Sequence, residues 1–229
     1  MSRFNPVEAE NRIRNAFETQ AVVLDRSKGY ISASWVNQRV KGPLQRDAAM
    51  LIDHHFGDSM FNPTVVTGIP NSGLLLAGAV ATVMGLDAAP SRKINGESDL
   101  PGAWRSPIIT PGKAQSFTTN DHSGFAFNQL KKDDRVILVE DVIASGETAL
   151  VVCDAFQKQK IPFVLVAYFA KEFDRGLSRL REIGVEPVYL VGISNLENGD
   201  VNLSPPKFRD PMERHMSVAM SYGMSRVPM

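Results

Sequence analysis

Residues 136–149 read Val136-Ile137-Leu138-Val139-Glu140-Asp141-Val142-Ile143-Ala144-Ser145-Gly146-Glu147-Thr148-Ala149. The unbroken apolar run at their start, taken from Arg135 to Val139, predicts a strand buried on both faces, as in a parallel sheet covered by helices. Two acids follow, and then a small-residue turn opens a helix predicted over Glu147 to Lys158. At a helix start several backbone N–H groups lack intrahelical partners and the macrodipole is positive, so Ala144 to Thr148 form a cup suited to a phosphate, with the Ser145 and Thr148 hydroxyls as added donors. Gly146 lets the backbone approach closely, and Glu147 sits within the cup. Carboxylates at the end of a buried strand are costly unless something donates to them. A sugar diol, with two hydroxyl donors, satisfies Glu140 and Asp141.

Working outward, Thr64 to Ile69 reads as a strand, Ser72 to Met84 as a helix and Ala88 to Ser91 as a short strand. After the central segment come a strand at Phe163–Phe169, a helix at Phe173–Ile183 and a last strand at Val188–Ile193. Alternation of this kind defines an α/β fold with a central parallel sheet flanked by helices. Upstream, Pro6 to Phe17 reads as an amphipathic helix on the surface, Ala21–Leu24 and Tyr30–Val36 as strands about the Ser27-Lys28-Gly29 turn, and Pro43 opens a helix to Phe56. Residues 92–130 are rich in Gly, Pro, Ser, Thr and Asn, with a hairpin expected around Gln115–Thr118; so long an irregular insertion in a compact domain suggests a lid or binding loop. The expected organisation is a single domain over 1–203, with 1–60 as lead-in, and a tail over 204–229 whose Met216, Met220 and Met224 share a helical spacing.

Composition narrows the function classes. Among 229 residues, 43% are hydrophobic and 22% charged, which excludes a wholly disordered chain. Lys+Arg 25 balances Asp+Glu 25, so no global charge favours nucleic acid or an anionic membrane. One cysteine, Cys153, makes neither an intramolecular disulfide nor a cysteine-based zinc site, and no metal-ligand spacing surrounds the histidines. With no apolar signal core at the N-terminus and no apolar window of the roughly 18 to 20 residues a spanning helix needs, a cytoplasmic protein is expected.

The segment around Glu140-Asp141 resembles the signature of the type I phosphoribosyltransferases, in which an apolar run, two acids and a Ser/Thr-Gly turn bind phosphoribosyl pyrophosphate. A second segment, Val65-Val66-Thr67-Gly68-Ile69-Pro70-Asn71-Ser72-Gly73, stands where that family binds pyrophosphate. The resemblance implies backbone contacts from Ile69, Pro70, Asn71, Ser72 and Gly73, in a turn that in family members often holds a cis peptide. Close packing alone also explains its two glycines. The insertion resembles the family's flexible hood over the active site. Its leading Arg92 and Lys93 resemble a pair that holds pyrophosphate, with Arg105 and Lys113 ranked behind them. Implied too are an N-terminal hood, a homodimer, Mg²⁺ on the pyrophosphate with no dedicated protein metal site, and a nucleobase as second substrate.

Features of the insertion and the Ala-Ser-Gly-Glu-Thr-Ala turn resemble the purine branch. There Ser34-Trp35-Val36-Asn37-Gln38 resembles a segment whose Asn meets the base, and Ala170-Lys171-Glu172 one whose Lys meets the purine 6-oxygen. Lysine has donors only, which suits a keto purine. Val139-Glu140-Asp141, Asp174-Arg175 and Lys28-Gly29-Tyr30-Ile31-Ser32 resemble orotate phosphoribosyltransferases, the alternative reading. A phosphoribosyl pyrophosphate-sensing regulator would need a DNA-binding module, for which the roughly 20 residues ahead of the first strand are too few.

Overall fold

The computed structural model describes residues 4–57, 59–95, 108–109, 124–197 and 200–206. Its helices are α1 (Pro6–Gln20), α2 (Ser34–Asn37), α3 (Gly42–Phe56), α4 (Gly73–Met84), α5 (Glu147–Gln159) and α6 (Gly176–Glu182). Its strands are β1 (Val22–Asp25), β2 (Tyr30–Ser32), β3 (Val65–Gly68), β4 (Asp87–Ala89), β5 (Ser91–Ile94), β6 (Ile108–Ile109), β7 (Gly124–Phe127), β8 (Val136–Ile143), β9 (Phe163–Lys171), β10 (Val188–Glu197) and β11 (Asp200–Leu203).

The central sheet has the order β11-β10-β9-β8-β3-β4. Its pairs from β10 to β4 are parallel, and β11 joins antiparallel to β10. Side chains alternate across the pleat. Ile137 and Val139 pack with Phe17, Leu51 and Val80 on the face covered by α1, α3 and α4, while Val136 and Leu138 pack with Val152, Phe156 and Leu180 on the face covered by α5 and α6. Both faces are therefore buried, which is why β8 reads as an unbroken apolar run rather than an alternation.

The expected α/β architecture is present, and several local expectations need correction. Helix α1 is not a surface element: Asn5 caps it by accepting from the Val7 and Glu8 amides, and its Ala9, Ile13, Ala16 and Phe17 are buried in the core. The second N-terminal strand stops at Ser32, and Ser34–Asn37 is one helical turn that buries Trp35 and Val36. Strand β8 runs on past Val139 to Ile143, carrying both acids within it. Helix α6 begins at Gly176 rather than Phe173. The last strand is not Val188–Ile193, because β10 continues to Glu197 and β11 returns beside it.

Within the 92–130 insertion the two ends are ordered strands: β5 pairs antiparallel with β7, and β7 with β6, in a separate three-stranded sheet. The expected Gln115–Thr118 hairpin, Arg105, Lys113 and the methionines of the tail lie outside the described residues. The tail's first residue is docked. Ser204 is buried, its amide donates to the Gly192 carbonyl at 2.9 Å and its hydroxyl to Glu172, while Arg14 donates to its carbonyl at 2.7 Å.

Candidate active site

From β3 the chain leaves the sheet towards β4 on one side, and from β8 it leaves towards β9 and β10 on the other. In an open parallel sheet such a reversal opens a crevice at the carboxyl ends of the two strands. Gly68, the last residue of β3, lies in register with Val139, and β8 runs on to Ile143, so Glu140 and Asp141 extend past the end of β3 beside the turn that follows it. A cleft of about 280 Å³ occupies this position. Its wall on the β3 side is Pro70, Asn71 and Ser72, its floor Glu140, Asp141 and Val142, and its far side the turn and first residues of α5, from Ala144 to Ala149. Lys93 and Phe125 reach it from the small sheet and Asn37 from α2.

The turn into α5 is shaped by glycine. Gly146 has φ +75°, and a Cβ there would stand 2.8 Å from the Gly176 Cα, so both the backbone angle and the packing call for glycine. Gly146 is the N-cap, and no side chain caps the helix. The first intrahelical acceptor is the Gly146 carbonyl, taken by Leu150 at 2.8 Å, which leaves the amides of the first turn without intrahelical partners. The turn after β3 is equally close-packed. A Cβ on Gly68 would overlap the Gly73 backbone, and one on Gly73 would overlap the Val139 carbonyl oxygen. The peptide between Pro70 and Asn71 is cis.

Glu140 is 6% exposed, and its Oε1 accepts from the Asp141 amide at 2.9 Å. Burial, followed by the charge of the adjacent Asp141, pushes the Glu140 carboxyl well above the ordinary glutamate range, with Lys93 opposing. Asp141 is half-buried, and its Oδ2 accepts from the Asn37 side-chain amide at 3.1 Å.

The structure thus brings Asn37, Pro70, Asn71, Ser72, Lys93, Glu140, Asp141 and Ala144 through Thr148 to one cleft. Four expected residues are not on its lining. Ile69 is fully buried and its amide is already spent on the Val139 carbonyl at 2.7 Å. Gly73 serves the close approach of α4 to β8. Arg92 is exposed on β5, where the strand's two-residue alternation turns it away from the face that carries Lys93. Lys171, at the end of β9, donates to the Gly29 carbonyl in the β1–β2 turn at 2.7 Å; burial lowers its ammonium pKa, opposed by Asp174. Sequence reasoning passed over Phe125 and Val142, and also Gly176 and Arg179, which brace the α5 turn from outside the cleft. Arg179 donates to the Ser145 carbonyl at 2.9 Å, and the Gly176 amide to that of Ala144 at 2.8 Å. A glycine followed three residues later by an arginine beyond an apolar strand was the available signal, too short to be specific.

Residues 42–183 match the phosphoribosyl transferase domain family. A hypoxanthine/guanine phosphoribosyltransferase of Methanosarcina acetivorans is 33% identical over 118 residues, 51% of this chain and 62% of that protein. A xanthine phosphoribosyltransferase of Streptococcus uberis is 26% identical over 170 residues, 74% of this chain and 85% of that protein. The chain thus spans less than two thirds of the length of the archaeal relative. Among solved structures, adenine phosphoribosyl transferase from Trypanosoma brucei superposes with a TM-score of 0.64 at 17% identity, covering 79% of each chain. With a match over more than half its length, the chain belongs to the type I phosphoribosyltransferase family, and the curated relatives it resembles are named for purine bases.

Proposed function

We propose that this protein joins a purine base to phosphoribosyl pyrophosphate and releases pyrophosphate. The observation that carries the reading is the turn into α5 with the helix's uncapped start, Ala144 to Thr148, standing beside Glu140 and Asp141 in one cleft. An anion seat next to two carboxylates matches a sugar phosphate and little else: the amides take the 5′-phosphate and the acids take the ribose hydroxyls. Pro70, Asn71 and Ser72, with Lys93 across the cleft, are the proposed pyrophosphate contacts. Ile69 and Gly73 hold that turn by packing, and Arg92 is left out. Asn37 and Lys171 are assigned to the base side, Lys171 by way of a donor beyond the one given to Gly29. The trypanosomal structure that shares the fold is a complex with AMP, pyrophosphate and ribose-5-phosphate.

In the reaction a ring nitrogen of the base forms a bond to the anomeric carbon of the ribose as the bond from that carbon to the pyrophosphate oxygen breaks. The electron pair leaves with pyrophosphate and the ring-nitrogen proton is lost to solvent. No covalent bond to the protein is involved. The chain's contribution is to hold both reactants in line and to meet the charge that develops on each side of the breaking bond. Glu140 and Asp141 orient the sugar, and the negative charge of Asp141 faces the growing positive charge on the ring.

Among the described residues no group of three metal-type side chains occurs. Glu140 and Asp141 line the cleft as oxygen donors of the kind Mg²⁺ prefers, so the residues present would suit a Mg²⁺ that enters with phosphoribosyl pyrophosphate. When bound it neutralises the leaving group. The purine assignment rests on the names of the relatives, and the features that resemble orotate enzymes call for the same sugar chemistry. A homodimer in the cytoplasm completes the proposal. A buried free Cys153 suits a reducing compartment, and no described helix is long and apolar enough to cross a membrane.

The test is pyrophosphate release with Mg²⁺, phosphoribosyl pyrophosphate and, in turn, adenine, hypoxanthine, guanine, xanthine and orotate. Release with one or more purines and none with orotate is expected. Turnover of orotate alone would replace the purine reading, and binding of phosphoribosyl pyrophosphate without turnover of any base would replace the enzyme.

A further inference from the structure

The α5 turn is held from behind. The Ala144 carbonyl accepts from the Gly176 amide at 2.8 Å, and the next carbonyl, that of Ser145, accepts from Arg179 Nη1 at 2.9 Å. Both peptides that these carbonyls begin are trans, since the described cis bond is Pro70–Asn71. In a planar trans peptide the C=O and the following N–H point in opposite directions. Fixing two successive carbonyls on α6 therefore turns the N–H groups of Ser145 and Gly146 away from α6, and both of those residues line the cleft. Arg179 has a second contact: its guanidinium lies 3.8 Å from Glu147, a cup residue whose negative charge opposes any anion seated there.

From this geometry we infer that Arg179 is a positioning residue for the phosphate-binding turn, presetting the Ser145 and Gly146 amides from outside the cleft and offsetting Glu147, without touching substrate. The inference rests on the proposed function, because it assumes that the turn receives the 5′-phosphate. It also explains why the turn can present a glycine with positive φ as a defined binding surface: an uncapped, glycine-containing turn has many conformations of its own, and the two outward carbonyl bonds select one. The arrangement divides the cleft in two. The Pro70–Ser72 turn has its own support, through the Ile69 amide on Val139 and the contact of Gly73 with β8, and owes nothing to α6.

That division supplies the test. Ribose 5-phosphate and inorganic pyrophosphate are titrated separately, by calorimetry, into the full chain and into Arg179→Ala and Arg179→Lys. A bond from a charged donor is lost in the alanine variant, so affinity for ribose 5-phosphate is expected to fall about ten- to hundredfold, with pyrophosphate affinity unchanged within about twofold. Lysine keeps the charge and one donor and is expected to return ribose 5-phosphate binding to within about threefold of wild type. The difference should persist at about 0.5 M salt, where a merely long-range charge effect is screened. Should the alanine variant fail to fold, the lysine variant and Arg179→Met carry the same comparison. Unchanged ribose 5-phosphate binding, or equal loss of both ligands alongside a lower melting temperature, would overturn the inference while leaving the function standing. Wild-type protein that binds neither ligand removes the proposed function, and the inference with it.

Discussion

Asn37 donates from its side-chain amide to the Asp141 carboxylate at 3.1 Å, joining the N-terminal segment to the floor of the cleft across 104 positions of sequence. Both residues line the cleft, so Asn37 takes up part of the hydrogen-bonding capacity of the carboxylate that the ribose is proposed to use. The Asp141 carboxylate has more acceptor sites than one amide fills. The two residues therefore differ in consequence.

Asp141→Asn keeps the shape and removes the charge. Two charge-assisted hydrogen bonds to the ribose, at about 1.5–3 kcal/mol each, correspond to a loss on the order of 10²–10⁴ in turnover. Folding is expected to be intact, because Asp141 is only half-buried. Pyrophosphate release and a thermal melt check both halves, and wild-type rates in the variant would remove the acid pair from the mechanism. Asn37→Ala removes one neutral donor from the base side of the cleft and is expected to raise the KM for the base by about three- to tenfold, with turnover at saturating base changed less.

The glycines of the β3–α4 segment separate packing from flexibility. A Cβ on Gly73 would overlap the Val139 carbonyl oxygen, and no side chain can yield there because the obstacle is backbone. Gly73→Ala should cost about 1–3 kcal/mol or more, by the ordinary penalty of overpacking. Gly78, in the interior of α4, has nothing within 4 Å of its absent Cβ, so Gly78→Ala should stabilise by about 0.5–1 kcal/mol. Urea titration of the two variants checks the opposed signs.

Much of this arrangement was legible in the sequence because β8 is buried on both faces and so declares itself by an unbroken apolar run. The turn into α5 was legible because its small residues have few other uses. Less visible was whatever depends on neighbours in space. Arg92 and Lys93 look equivalent as a pair, but β5 alternates, and only Lys93 faces the cleft. Gly176 and Arg179 meet the α5 turn only because β9 runs parallel to β8 and returns the chain beside it. The β10–β11 hairpin did have a signal that went unread, Asn198-Gly199 between short alternating runs.

Glu140 makes stability depend on pH. Burial and the Asp141 charge hold its carboxyl above the ordinary value of 4.5, so between that value and the raised one the folded chain binds more protons than the unfolded chain. Stability from this group is full below the ordinary value and is lost as pH rises through the folded one. Glu140→Gln removes the dependence. The variant should therefore melt above wild type at about pH 8, with the gap closing towards about pH 4.5, in buffer free of metal and phosphoribosyl pyrophosphate. Parallel melting curves across that range would mean that Glu140 ionises freely in the fold.

Cys153 is fully buried in α5, and burial, with the nearby Glu140 second, pushes its thiol far up. The thiolate is the reactive form, so iodoacetamide at about pH 8 should leave the native protein unmodified by mass spectrometry and label it fully in denaturant. Rapid labelling of native protein would show that α5 opens readily, and phosphoribosyl pyrophosphate should then slow it, because the ligand is proposed to seat on the first turn of the same helix.

Lys171 spans from the end of β9 to the Gly29 carbonyl and so ties the β1–β2 hairpin to the central sheet. Phe173 reinforces the tie, its ring lying 3.1 Å from where a Gly29 Cβ would stand. The hairpin is otherwise a two-stranded sheet, an element of little independent stability. Lys171→Met keeps the apolar stem and removes the donor. Loss of one charged hydrogen bond, about 1.5–3 kcal/mol at most, should speed amide exchange in Val22–Asp25 and Tyr30–Ser32 by about tenfold or more while β8 and β9 exchange as before. If the same variant also shifts the preference among purines from those with a 6-keto group to adenine, the ammonium reaches the base with a second donor while the first holds the hairpin. Altered exchange with unaltered base preference would confine Lys171 to holding the hairpin, and leave Asn37 as the residue through which this side of the cleft meets the base.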